Sequence, residues 1–302
     1  MVCRLAGVAR STYYAWRKRR TRPADTSPAP RTGRARRGYW WTTTGTKVPE
    51  GQVLEWLNAY ITTPDGQAYG YRKLTVWLRR EHQLQINKKS VYRLLQEAGL
   101  LQGRRFPTAA NRPTRHLARN RVVTGPNQLW ETDLKYGYVA GVDRFFYLCS
   151  VIDVFDRSIL GYHIGWTCTA EQALRALDAA VESRRADWNP GSAPVIRTDN
   201  GPQFTSHAWA QGVTALGIAH ERIPNATPNK NAHIESWHSI LERDCLGNQI
   251  FATLAEVYEA LAAWITYYNE RRMHGSLHDW PPAQFYQWAR HGVAPIIPAV
   301  HC

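Results

Sequence analysis

The sequence predicts a layered α/β domain preceded by small all-helical modules. Three observations carry this expectation: the charge changes sign near residue 125, helical periodicity lies in front of that point, and strand runs with a crossover-type helix lie behind it. Of 302 residues, 38 are Lys or Arg and 24 are Asp or Glu, a formal net charge of +14. Residues 1–125 hold 25 basic against 6 acidic side chains, and residues 126–302 hold 13 against 18. A basic front half neutralises phosphates and releases counterions, so it suits nucleic acid; the plainer alternative is a solvated basic surface. At 44% hydrophobic and 21% charged residues, a fully disordered chain is excluded. No apolar run approaches the ~18 residues of a membrane helix, and the N-terminus lacks a secretory signal's apolar stretch. Cys3, Cys149, Cys168, Cys245 and Cys302 are scattered without a C-x-x-C, which predicts reduced thiols in a cytoplasm and no zinc site.

In chain order, Gly7 and Ser11 lead into an aromatic and basic helix, the pattern of a partial helix-turn-helix over 1–20. Tyr13, Trp16 and Arg17 share one face there, as DNA contacts or as a core stripe. Residues 21–48, with Pro23, Pro28, Pro30 and Arg31, Arg34, Arg36 and Arg37, read as a basic linker. A helix-turn-helix-like unit is expected over 49–103. It comprises a helix over 50–61, another opening at Tyr69 and running to about Glu81, and a third capped by Asn87 and stopped by Gly99. Arg72 and Lys73 are expected to point outward, and Lys88, Lys89 and Arg93 to form a recognition surface. Residues 104–125 read as a second linker.

Behind it, strands are expected over 127–139, 144–153 and 158–166 as an antiparallel meander, followed by an amphipathic helix over 169–185. A fourth strand, 194–199, ends in a carboxylate, and a helix follows over about 206–216. Asp133 lies in the first strand, Asp199 where open α/β sheets bind ligands, and Glu235 on a helix with Ile234, Trp237 and Leu241 as its apolar stripe. Any one of them is by default a surface carboxylate or a cap. Converging from two strands and a helix, they can hold two hard cations roughly 3.5–4 Å apart, as phosphoryl transfer requires.

The surrounding words narrow this. Thr198-Asp199-Asn200-Gly201-Pro202-Gln203-Phe204 and Asn229-Lys230-Asn231-Ala232-His233-Ile234-Glu235-Ser236, with 35 residues between Asp199 and Glu235, resemble the DDE transposases of bacterial insertion sequences. The match is to their second-reading-frame (OrfB-type) proteins, whose core is like that of retroviral integrases. Trp130-Glu131-Thr132-Asp133, Tyr69-Gly70-Tyr71-Arg72-Lys73, Val91-Tyr92-Arg93-Leu94-Leu95 and Tyr267-Tyr268-Asn269-Glu270-Arg271-Arg272 extend the resemblance over nearly the whole chain.

The resemblance implies an RNase-H-like catalytic core, a mixed five-stranded sheet with flanking helices over 126–290, then a tail over 291–302. It implies Asp133, Asp199 and Glu235 as catalytic ligands of two Mg2+ ions, with Mn2+ as substitute, in cleavage and strand transfer at terminal inverted repeats. Asn200, Gln203, Asn231 and His238 are expected to meet DNA or nearby water; turn, cap and packing roles stay open for them. The implied partners are element ends and target DNA, a homo-oligomer on DNA, and an upstream-frame protein or a fusion with it. That last expectation also answers the partial look of the first helix-turn-helix at Leu5. No membrane is involved, and the expected location is the cytoplasm, at the nucleoid through DNA. A related RNase-H-like nuclease would not need the basic modules, and a non-enzymatic regulator would not need three acids together.

Overall fold

The computed structural model describes residues 38–101, 121–187, 192–223, 231–295 and 299–301. The unit expected at 1–20, with Tyr13, Trp16 and Arg17, lies outside them. Two short antiparallel strands, β1 (Tyr39–Trp41) and β2 (Lys47–Pro49), precede helices α1 (Glu50–Ile61), α2 (Tyr71–Glu81) and α3 (Lys88–Glu97). The hairpin corrects the reading of 21–48 as linker throughout. Its strands are too short to show alternation, and their place is fixed by distant partners: Trp41 O accepts from Gln85 N at 2.7 Å, and Val48 is buried.

The third helix follows its local rules. Asn87 accepts from the Ser90 amide at 2.9 Å, and Gly99, at φ +67, takes the left-handed position past its end. Val53, Leu57, Leu74, Leu78, Val91, Leu94 and Leu95 make one core, beside stacked pairs Trp56–His82 and Tyr60–Trp77.

The second unit begins with β3 (Val122–Val123), then the long β4 (Leu129–Val139), β5 (Arg144–Asp153) and β6 (Ile159–Gly165). Helix α4 (Ala170–Arg184) crosses over to β7 (Val195–Thr198); short α5 (Pro202–Thr205) and α6 (His207–Ala215) lead to β8 (Ala219–Arg222). Then follow α7 (Ala232–Asp244), α8 (Leu254–Glu270), α9 (Pro282–Arg290) and β9 (Val300–His301). The main sheet runs β6-β5-β4-β7-β8, antiparallel up to β4 and parallel beyond it, the RNase-H-like arrangement. Its fifth strand, Ala-His-Glu-Arg, is short and polar, so no run of residues announced it.

Two boundaries shift. Val122–Val123 pairs with Val300–His301, and Val123 is buried with Leu129, Phe155 and Phe285. The end of the second linker and part of the tail therefore belong to the core, in place of a unit spanning 126–290.

One face of the sheet packs on α4, which begins with a reciprocal cap between Thr169 and Gln172. Here Cys149, Val151 and Ile196 meet Ala173, Ala176, Leu177 and Ala180. The helix lies so close that a Cβ on Gly161 would stand 2.2 Å from the Ala176 carbonyl oxygen. The other face carries Phe146, Leu148 and Ile152 against Ile234, Trp237, Leu241, Leu261 and Trp264 of α7 and α8. No helix among the described residues is long and apolar enough to cross a membrane.

The helical module sits on the segment between α8 and α9. Lys73 Nζ donates to the Met273 carbonyl at 2.7 Å, Arg80 to that of Asp279 at 2.6 Å, and the Arg80 guanidinium lies over the Trp280 ring. Met273 itself completes the module's core. Lys73 thus points inward, against the expectation of a DNA contact. Helical periodicity separates the faces of a helix but does not show that a second unit covers one of them.

Candidate active site

The register of the sheet brings the acids together. In the parallel pair β4–β7, Glu131 stands opposite Arg197, so two residues further on Asp133, still within β4, and Asp199, just past the end of β7, come side by side. Opposite Asp133 on β5 is Ser150, in the even-numbered set that faces α7 and α8, so Asp133 is turned toward α7. Glu235 lies in the first turn of that helix.

Each acid is held differently. Asp133 Oδ1 accepts the Leu134 amide at 2.7 Å, and Asp199 Oδ1 accepts that of Gly201 at 2.9 Å. The second turn is closely packed: a Cβ at 201 would stand 2.4 Å from the end of the Gln203 side chain and 3.0 Å from the Asp199 carboxylate. Glu235 is exposed. Burial pushes the Asp133 carboxyl up to about 7; the Leu134 amide opposes this, and Asp199, Glu235 and Glu131 add to it. Glu235 is raised as well, by partial burial and by Glu131.

This field fits a cation, because a positive charge among repelling carboxylates relieves all of them. Among the described residues no three His, Cys, Asp or Glu side chains are gathered as a finished metal cage. The fit therefore lies in the shared charge and in the all-oxygen donor set, which suits a hard divalent ion.

Around the acids, His238 Nδ1 lies 3.8 Å from Asp133 Oδ2. The imidazole is buried and pushed down to about 3 by that burial and by Lys135, so it is neutral and this is no ion pair. Asn231 is buried and donates to the Thr132 carbonyl at 3.2 Å, and Gln203 is also buried. Asn231 and Gln203 are held inside by this burial, whereas His238, though buried, lines the cleft beside Asp133. Asn200 is exposed, donating to the Ile223 carbonyl at 2.8 Å. A cleft of about 460 Å3 opens beside the acids, between Lys135 on β4 and Ser239, Glu242 and Arg243 on α7.

In the helical module, Arg72, Lys88 and Lys89 are exposed, whereas Arg93 is half-buried against Glu50 at 3.1 Å. Glu131 is the residue that sequence reasoning missed. Fully buried, it accepts the amides of His233 and Ile234, each at 3.0 Å, and lies 3.0 Å from His233 Nδ1. The signal was its place two residues before Asp133, hence on the same face of the strand.

A mixed sheet that places one aspartate within its central strand, a second just past the end of the neighbouring parallel strand and a glutamate on the covering helix defines the class of integrase-type cores. Comparison with known proteins agrees: the integrase core domain family matches residues 123–228, a second integrase core domain family matches 216–282, and an HTH-like domain matches 61–106. The 31.7 kDa protein of insertion element IS407 from Burkholderia multivorans is 32% identical over 72% of this chain and 75% of its own length. The 39.2 kDa protein of insertion element IS476 from Xanthomonas euvesicatoria is 34% identical over 72% of this chain, which spans 60% of that relative. The transposase of IS629 from Shigella sonnei is 27% identical over 94% of this chain and 89% of its own. The chain belongs to the insertion-element transposases with an integrase core, a family of DDE polynucleotidyl transferases.

Proposed function

We propose that this chain cleaves DNA at the ends of its insertion element and joins those ends to target DNA, with Asp133, Asp199 and Glu235 as the ligands of two Mg2+ ions. The observation that carries this reading is the register that sets Asp133 beside Asp199 on the sheet face covered by the helix that bears Glu235, where burial and the neighbouring acids raise the Asp133 carboxyl. Held by these carboxylates, such ions would supply the activation of a water or a 3′-hydroxyl and the stabilisation of the leaving oxygen, with Mn2+ as the substitute for Mg2+. The protein's part is positional. Asp133 is oriented by the Leu134 amide and Asp199 by that of Gly201, while Glu235 closes the site from the helix. Neutral His238 packs beside Asp133 without adding charge.

The helical module supplies the grip on DNA. Lys88 and Lys89 stand exposed at the N-terminus of α3, where the helix dipole disfavours cations unless an anion such as phosphate is present. Arg72 stands exposed at the start of α2, and exposed Asn200 flanks the acids. Terminal inverted repeats are the sequence read, a homo-oligomer holds the two ends together, and an upstream-frame segment supplies further base-reading surface. The work takes place in the cytoplasm, at the nucleoid.

The test is divalent-metal-dependent nicking of duplex DNA carrying the sequences that flank the coding region. Asp133→Asn, Asp199→Asn and Glu235→Gln are expected to abolish nicking while binding of the same DNA persists or improves, because each removes negative charge facing phosphate. Full nicking by Glu235→Gln would end the assignment.

A further inference from the structure

We propose that Glu131 is a positioning residue that fixes the distance between the Asp133 strand and the Glu235 helix, and with it the geometry offered to the metal. The proposal rests on the reading of Asp133 and Glu235 as ligands. A helix begins with amides that lack intrahelical partners, and a side chain at the cap usually satisfies one or two of them. Asn231, at the cap position of α7, makes no such bond; its Nδ2 goes to the Thr132 carbonyl. The cap comes from another strand. One oxygen of the Glu131 carboxylate accepts both the His233 and Ile234 amides at 3.0 Å, and the other lies 3.0 Å from His233 Nδ1.

A buried carboxylate inside a sheet is costly unless fully partnered, and an apolar or hydroxyl side chain would fill the position without that cost. Here the charge meets the positive end of a helix and two orphaned amides, so it is compensated in one arrangement only. The Asn231–Thr132 bond lies beside it, so consecutive strand residues 131 and 132 hold helix-start residues 231, 233 and 234. Asp133 is the next strand residue, and Glu235 is the next helix residue. The strand and the helix are joined immediately before each supplies its acid.

The test is carried out on the full chain, with Mn2+ alone as the probe. Free Mn2+ is titrated by electron paramagnetic resonance, and amide hydrogen exchange is followed over residues 231–240. Glu131→Gln keeps the shape but loses the charge and turns an NH2 group toward the helix amides. Its Mn2+ affinity should fall at least about 5-fold, and exchange at His233 and Ile234 should quicken at least about 10-fold while the sheet stays protected. Wild-type affinity in Glu131→Gln, alongside lost affinity in Asp133→Asn and Glu235→Gln, would overturn the proposal and leave the ligand reading intact. Unchanged affinity in all three variants would bring down the ligand reading, and this proposal with it. If Glu131→Gln does not fold, Glu131→Asp keeps the charge and shortens its reach, with the same expectation of weakened Mn2+ binding. Wild-type affinity in that variant would overturn the proposal.

Discussion

The two faces of the central sheet are built to different rules. Against α4 the contacts are small and apolar: Ala173, Ala176 and Ala180 lie over Cys149, Val151 and Leu160, and Gly161 lets the helix backbone approach the strand. Against α7 the sheet carries, beside the apolar Phe146, Leu148 and Ile152 of β5, the acids Glu131 and Asp133 of β4, with Asn231 and His238 pressed beside them. The first face lowers free energy mainly by apolar burial, with one buried ion pair, Arg184–Asp156, at the end of α4. The second holds charge in a place where burial penalises it, and burial, with the neighbouring acids adding, raises the Asp133 carboxyl. The difference teaches that the α4 face is scaffold and the α7 face is the working side, tolerated because the scaffold supports it.

The sharpest way to break this comparison is at the working face. Asp133→Asn should lower the nicking rate at least about 100-fold, the scale on which removal of one electrostatic stabiliser is felt. The same change should leave thermal stability equal or higher at pH 8 without divalent metal, since it removes a carboxylate that its neighbours repel. A large loss of stability would mean that Asp133 is structural. On the scaffold face the pattern should reverse. Gly161→Val drives a side chain into the Ala176 carbonyl, and overpacking of this kind costs about 1–3 kcal/mol. Thermal melts should show the loss, while Mn2+ affinity of the folded fraction stays at the wild-type value.

How much of this was legible divides along the same line. Burial on a periodic element shows in the sequence, so the helix at 50–61, the strand at 144–153 and the cap at Asn87 were expected where they stand. Asp133, Asp199 and Glu235 were singled out by the motifs around them, and the register sets the two aspartates side by side. What stayed hidden depends on distant partners. The hairpin at 39–49 and the pairing of Val122–Val123 with Val300–His301 are too short to show alternation. The inward turn of Lys73 is decided by Met273, 200 residues away. Glu131 was quoted only as a letter of a motif, because its role needs the helix start at 233–234, about 100 residues on, to be in place.

The comparison extends to the helical module, where one set of cations faces solvent and another faces the core. Lys88→Ala with Lys89→Ala should weaken binding of duplex DNA several-fold and flatten the dependence of log affinity on log salt by up to about two. Lys73→Met should leave that slope within about half a unit of wild type, because Lys73 already donates to a protein carbonyl. An equal flattening by Lys73→Met would show that the lysine leaves the Met273 carbonyl when DNA arrives.

The smallest expected effect follows from the proton on Lys73. Burial, with Arg272 adding to it, lowers this ammonium from its ordinary 10.5 to about 8. Between those values the unfolded chain holds a proton that the folded chain has released, so unfolding takes up a proton and becomes harder as pH rises. Below about 8 both states are protonated and the contribution is flat. Lys73→Met has no such proton. The difference in Tm between wild type and Lys73→Met should therefore stay constant from pH 6 to 7 and move in favour of wild type from pH 8 to 9.5. That window lies below the ordinary tyrosine range, and Tyr60, Tyr267 and Tyr268 at or near this joint are raised above it by burial. A difference that stays constant across the whole range would mean that the Lys73 ammonium is as well solvated in the folded chain as in the unfolded one, and that the module does not bury it against the segment between α8 and α9.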